Sequence, residues 1–437
     1  MAAFPQPLRR QNIANVAADY LQDPVKPERT RVDSIDLLRG IVMVIMMLDH
    51  TRDFLHNAAF QFDPLDPTRT NVALFFTRWI THFCAPTFVF LAGTGAYLQY
   101  ARGKSKRELS KFLVTRGLWL IVLEITIVRL GITFSFDYRM LGMFQVIWVI
   151  GVSMIVLAAL IHLPPSLVAA FGGLMVAFHN LLDRPSFRLE SWRGPGTPVP
   201  GVGAKIWMLL HQPFEGFPVA GFPSPIILVL YPIIPWVGVM ALGYAFGMLY
   251  QKRAVYRRHI LRSIGTVTIL TFVVLRFFDF YGDPQKWSQQ KNIVFTILSF
   301  LNTTKYPPSL LFLLMTLGPA ILALAYFERG TPAPKDTIAG RVREFFITFG
   351  RVPLFFYILQ WFTAHAIAVL LHWAFGKPLK WLFQTPLDWF AGPPQGTGFN
   401  LAVVYLAWIS GVLILYPLCK WFAGVKKRRR DWWLSYL

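Results

Sequence analysis

The chain has 437 residues, of which 55% are hydrophobic and only 15% charged, and its net charge is +21. Soluble domains are nearer a quarter charged, so the composition excludes one and points to an all-α polytopic membrane protein. A transmembrane barrel is excluded as well: it would show short alternating strands, whereas this sequence has apolar runs of roughly 18 to 25 residues, enough to cross a ~30 Å hydrocarbon core.

In chain order, a mostly polar tail (1–33) carries Arg9, Arg10, Lys26, Arg29 and Arg31. Its length before the first apolar run argues against a cleavable signal peptide. About ten transmembrane helices (ten or eleven) are expected within 34–424, near 35–56, 74–99, 112–134, 140–162, 165–183, 226–250, 260–279, 308–327, 350–375 and 399–423. A basic tail, 425–437, closes the chain. The stretches RGKSKRELSK, QKRAVYRRHILR, 329–351 and KKRRR are basic. With ten spans they fall on one side, which the positive-inside rule makes cytoplasmic together with the N-terminus. The opposite loops are longer and richer in Gly and Pro, the largest being 184–225. KIWMLLH and NIVFTILSFL read as short interfacial helices. The net charge therefore belongs to topology and lipid headgroups, with no nucleic-acid partner expected. Cys84 and Cys419 lie in apolar segments and read as small core residues, without disulfide or zinc spacing; no metal is expected. No internal repeat is visible, which counts against inverted-repeat transporters.

Ionisable groups inside a membrane are costly, so each is a functional candidate. The first span holds Asp36, Arg39, Asp49, His50, Arg52 and Asp53. Eleven residues make about three turns plus 20°, so Arg39 and His50 share one face, roughly 16 Å apart along the axis. One long ligand could touch both. The second span, RWITHFCAPTFVFLAGTGAYL, returns with Arg78 and with His82 at a depth matching His50, so the two histidines could line one cavity. The third carries Arg116 near its cytoplasmic end and Glu124 at middle depth. Arginine suits phosphate or pyrophosphate, and histidine accepts a proton near neutral pH. Asp49 or Asp53 could fix the histidine tautomer. Arg39 could instead snorkel or pair with Asp36, and Glu124 could pair with Arg129. His365 and His372 read as helix packing, and the GxG of LAGTGAYL as close helix contact with no preceding strand for a nucleotide loop.

These residues carry a resemblance. SIDLLRGIVMVIMMLDHTRDF resembles the first helix of the transmembrane acyltransferase superfamily, and Arg39 with His50 matches the Arg-x10-His signature of its bacterial acyltransferase-3 branch. IDLLRGI, APTFVFLAGTGAYL, MLGMFQVIWVIGV, YPIIPWVGVMALGYAFG, LNTTKYPPSLLFLLMTLG and FGRVPLFFYILQ look closer to the branch of the heparan-α-glucosaminide N-acetyltransferase catalytic domain, over about 33 to 370. The resemblance implies acyl transfer from cytoplasmic acyl-CoA to an extracytoplasmic acceptor. It places the acyltransferase-3 histidine on His50, and Gln145, Asn302, Lys305 and Tyr306 within reach of donor or acceptor. The chain departs from the heparan branch at His50 and His82, where that branch has an asparagine and an aspartate. Its catalytic histidine falls about eleven residues later, and His56 is only six later. A heparan-type substrate is therefore not carried over.

The expected function is a membrane-embedded acyltransferase, an acetyltransferase first, with acetyl-CoA or another acyl-CoA as donor and a glycan or glycolipid acceptor. His50, His82, Asp49, Asp53 and Glu124 are the expected catalytic groups. Arg39, Arg116, Gln145, Asn302, Lys305 and Tyr306 are the expected binding groups. Direct transfer and a histidine-bound acyl intermediate stay open, as does oligomeric state, a homodimer included. A proton-coupled transporter or flippase for an anionic metabolite is the alternative, and a non-catalytic relative a third. The style of sequence suits a bacterial inner membrane.

Overall fold

The first helix, α1 (Asp33–Leu55), stands at the centre of a helical bundle, with seventeen of its 23 residues buried. The computed structural model describes residues 32–190, 192–328, 334–385, 388, 393–429 and 431–436. The basic residues expected in the tail before 32 and in 329–333 lie outside the described residues. Next come α2 (Val72–Trp79), a tight turn over Ile80–Phe83 and α3 (Cys84–Ala101), stacked as one rod. A Ser105/Glu108 capping box starts α4 (Lys106–Leu123), which passes through a widened turn at Glu124–Val128 into α5 (Arg129–Thr133). Helices α6 (Val146–Leu160), α7 (Pro165–Phe178) and α8 (Val202–Leu210) follow. The remainder comprises α9 (Trp236–Phe246), α10 (Ala254–Phe278), α11 (Ile293–Leu301), α12 (Leu310–Phe327), α13 (Ile338–Arg351), α14 (Pro353–Ala374) and α15 (Leu401–Arg428). Helix α1 touches α3, α12, α13, α14 and α15, so most of its length is enclosed, Asp36, Asp49 and Arg52 included.

Among the described residues, six helical segments are long and apolar enough to cross a membrane: Val72–Ala101, Pro165–Asp183, Ala254–Phe278, Leu310–Phe327, Pro353–Ala374 and Leu401–Arg428. The chain is thus a mostly helical membrane protein. Both short segments read as interfacial helices are helical, as α8 and α11.

The all-α expectation needs one correction. A small sheet in the order β1-β3-β2 joins β1 (Met140–Phe144), β2 (Glu215–Pro218) and β3 (Ile226–Val229). β1 runs parallel to β3, pairing Met140 with Ile226 and Phe144 with Val229, and β2 runs antiparallel to it. The spans expected from 140 and from 226 therefore begin as strands. In the second, Pro232 and Pro235 delay the helix to Trp236, since proline lacks the N–H and clashes with the preceding turn. The span expected over 350–375 is also split. Val352, forced out of the helical region by Pro353, has φ −131° and separates α13 from α14.

Two glycines set how α1 meets α13. A Cβ on Gly40 would overlap the Phe346 carbonyl, and one on Gly350 the Asp36 carbonyl. Backbone lies against backbone, with no flexible side chain to yield. Gly350→Ala is expected to destabilise the protein by about 1–3 kcal/mol, the usual cost of overpacking. The check is thermal unfolding in nanodiscs; an unchanged midpoint would refute the close crossing.

Candidate functional site between two cavities

The bundle carries two cavities with different linings. One, of about 430 Å³, opens between α1, α3, α4, α6 and α14. Its mouth is ringed by Arg39, Arg102, Arg116, Arg351 and Lys426, with Asp36 among them. Arg39 Nη1 donates to Asp36 Oδ1 at 3.1 Å and to the Gly350 carbonyl at 3.2 Å, so the α1/α13 crossing also aims this guanidinium. Following each helix inward, the walls turn apolar and end on Met43, Phe88, Leu120, Val146 and Tyr357. Gly93 is in tight contact with α9, while Gly95 borders this cavity with open space around it, so the GxG stretch serves packing and access together.

The other cavity, about 1020 Å³, is built by the 184–225 loop, the sheet and Pro284, Thr304, Tyr306 and Pro307. Arginines 139, 184, 188 and 193 and the aromatic rings of Trp192 and Trp207 line it. Tyr306 packs edge-on against Phe214 and Tyr231.

Further along α1, at residues that line neither cavity, lies a largely buried polar cluster. Asp49 is paired with Arg78 of α2 and, at 3.0 Å, with Arg52; Asp53 is paired with Arg52 as well. The spacing 49, 52, 53 places these side chains on one face of α1, and the two arginines absorb both carboxylates. Neither carboxylate is hydrogen bonded to His50, contrary to the sequence expectation. His50 Nδ1 instead donates to Gln360 Oε1 at 2.8 Å, and its ring stacks on Trp361 with centroids 3.6 Å apart. Since an amide oxygen only accepts, the contact makes Nδ1 the protonated nitrogen and leaves the Nε2 lone pair for a substrate proton.

His82 lies on the tight turn that interrupts the second rod. It is fully buried against Phe312, and neither ring nitrogen has a hydrogen-bond partner among the described residues. Arg78, bonded to Asp49, lies one turn before His82, which sets both histidines beside the same ion-paired residues. The two histidines do not line a common cavity, however: Trp361 covers one and Phe312 the other. Lys305 and Tyr306 sit on the loop between α11 and α12. Asp283 holds that loop, accepting from Thr304 N, Thr304 Oγ1 and Ser309 Oγ at 2.7–2.9 Å. Burial pushes the Asp283 carboxyl up from its ordinary range, against the pull of those bonds.

Other predicted residues sit apart. Asn302 caps α11, donating to the Leu65 carbonyl and accepting from Arg276 through its own. Gln145 ends β1 next to Val146 and lines neither cavity. Glu124 does not pair with Arg129; its Oε2 accepts from Trp148 N at 2.9 Å, and Arg129 is spent on the carbonyls of Ser135, Asp137 and Met140. His365 and His372 bond to the Gly131 and Ala368 carbonyls, as helix packing requires. Sequence reasoning missed Gln360, Trp361 and Tyr357. Gln360 had a readable signal, a lone amide in the otherwise apolar PLFFYILQ, where an unpartnered polar group is expensive.

A family model described as heparan-alpha-glucosaminide N-acetyltransferase, catalytic, matches residues 31–281, more than half of the chain. It takes in Arg39, His50, Arg78, His82 and Arg116 and stops before Lys305 and Gln360. No curated protein matches the chain.

Proposed function

Because the chain belongs to the heparan-alpha-glucosaminide N-acetyltransferase catalytic-domain family, whose activity is membrane acetyl transfer, we propose that it moves an acetyl or other acyl group from acyl-CoA across the membrane to a glycan-type acceptor. What supports this reading is the pair of cavities with different linings, one rich in cations over apolar walls and one walled by arginine and aromatic side chains. Five cations at the mouth of a narrow, apolar-floored cavity suit a phosphorylated donor with an apolar reactive end. The larger loop chamber, with aromatic and arginine walls, suits a polar ring-bearing acceptor, and Tyr306 borders both chamber and cluster.

In this reading ten spans over 34–424 place the N-terminus and the cationic mouth in the cytoplasm and the chamber outside. The protein then sits in a bacterial inner membrane. Arg39 and Arg116 hold donor phosphates, joined by Arg102, Arg351 and Lys426. His50 Nε2 takes the proton from the acceptor hydroxyl or amine as it attacks the acyl carbon. Arg78, Lys305 and Tyr306 surround the developing oxyanion, with Asp49 and Asp53 holding the arginines in place. His82 is the second imidazole in reach of the same charges. The transporter or flippase alternative is not supported by the family match.

The test is acetyl-CoA binding and CoA release by the purified protein in nanodiscs. Arg39→Ala and Arg116→Ala are each expected to weaken acetyl-CoA binding about 10- to 100-fold, the range for losing one charged hydrogen bond. Wild-type protein that neither binds acetyl-CoA nor releases CoA would overturn the reading.

A further inference from the structure

We propose that Tyr357 is the acid that protonates the leaving thiolate; the inference rests on the acyl-transfer reading above. Thioester cleavage expels CoA as a thiolate, and a bare anion in an apolar recess is costly. In the acyl-transfer reading the cations of the donor cavity are engaged with the donor phosphates, so the charge developing on sulfur needs another partner. Met43, on the floor, is one full turn beyond Arg39 along α1, about 6 Å. Of the floor residues Met43, Phe88, Leu120, Val146 and Tyr357, the phenol alone bears an acidic hydrogen. Tyr357 is 4% exposed, and its Oη makes no hydrogen bond of ordinary geometry among the described residues.

Its neighbours complete the argument. One turn further along α14, Gln360 and Trp361 hold His50. Base and acid are therefore held one turn apart along α14, with the acid on the floor of the donor cavity. Behind the floor, Glu124 is bonded to Trp148 N, directly after floor-lining Val146 and Ile147, and it takes part as the neutral carboxyl. Glu124 Oε1 has no hydrogen-bond partner among the described residues.

The step balances. The acceptor nucleophile bonds to the acyl carbon and gives its proton to His50 Nε2. The C–S bond breaks, its electron pair goes to sulfur, and sulfur takes the Tyr357 hydroxyl proton to leave as free CoA thiol. Neutral Glu124 returns a proton to the phenolate, and the proton lost by Glu124 and the one gained by His50 are exchanged with water after the products leave.

Tyr357→Phe separates this role from a packing one, because it removes only the hydroxyl. Acetyl-CoA and an S-acetyl aryl thioester, whose thiolate leaves without protonation, are compared as donors with glucosamine as probe acceptor. The expected result is a fall of about 10²-fold in acetyl-CoA turnover, within the range for general-acid catalysis, with acetyl-CoA affinity and aryl-thioester turnover unchanged. Glu124→Gln is expected to show a smaller loss of the same donor selectivity, and decides the matter should Tyr357→Phe fail to fold. Equal losses with both donors, or no loss with either, would overturn the assignment while leaving the acyltransferase reading intact. Wild-type protein that releases no CoA would remove that reading and this inference with it.

Discussion

His50→Ala is expected to lower CoA release by about 10²- to 10⁴-fold, the contribution of a positioned general base, while acetyl-CoA affinity stays near wild type. The two effects separate because His50 lies about 16 Å along α1 from Arg39. The geometry makes a second, graded expectation. Gln360 Oε1 holds the Nδ1 proton and Trp361 fixes the ring plane, so Gln360→Leu leaves the imidazole present but free to change tautomer and tilt. Its turnover should fall less than that of His50→Ala, with donor affinity again unchanged. Single-turnover CoA release, measured beside equilibrium donor binding, distinguishes the two. Full activity in His50→Ala would make His50 a packing residue and shift the base to His82, the other imidazole within reach of Lys305 and Arg78.

Asp49→Ala is expected to be the most destabilising single change in the site. The Asp49 carboxylate lies between Arg52 and Arg78, and all three side chains are largely buried. Removing one partner of a buried ion pair costs about 3–5 kcal/mol, chiefly because the remaining charge is left enclosed and unpaired. Arg52 keeps Asp53, so Arg78 bears the loss. The cause can be isolated. Asp49→Leu combined with Arg78→Met removes both charges, and the double variant should be less destabilised than the sum of the two single ones. Thermal unfolding of the four proteins in nanodiscs closes the cycle. Strict additivity would mean that the pair contributes nothing to holding α1 against α2.

The helical rods were largely legible before any coordinates, because long apolar runs leave few alternatives. The strands were not. Only Gln145 separates MLGMF from the apolar segment of α6, and a short apolar run cannot be told from helix by periodicity. Only the pairing of β1 with β3, some 85 residues on, makes it a strand. The break at Val352 was readable from Pro353 and was overlooked.

In the site, helix arithmetic put Arg39 and His50 on one face, and the cavity that gathers Arg39 with Arg116 follows that face inward. The adjacent pair Asp49-His50 was misleading, since neighbours on a helix point about 100° apart. The carboxylate turns to Arg78 and the imidazole to Gln360, 310 residues away.

The sequence by itself determined which ionisable groups share a face of the first helix and how far apart they stand along its axis. Hydrophobic run length and the 1.5 Å rise of a helix are local properties that no partner alters. The tertiary structure alone decided who meets whom: His50 with Gln360 and Trp361, Asp49 with two arginines, Tyr357 on the floor of the cationic cavity. A buried polar group must find a partner or stay costly, and which partner it finds depends on the packing of helices far apart in the chain. Gly40 and Gly350 bring two of those helices into backbone contact and thereby aim the arginine at the cavity mouth.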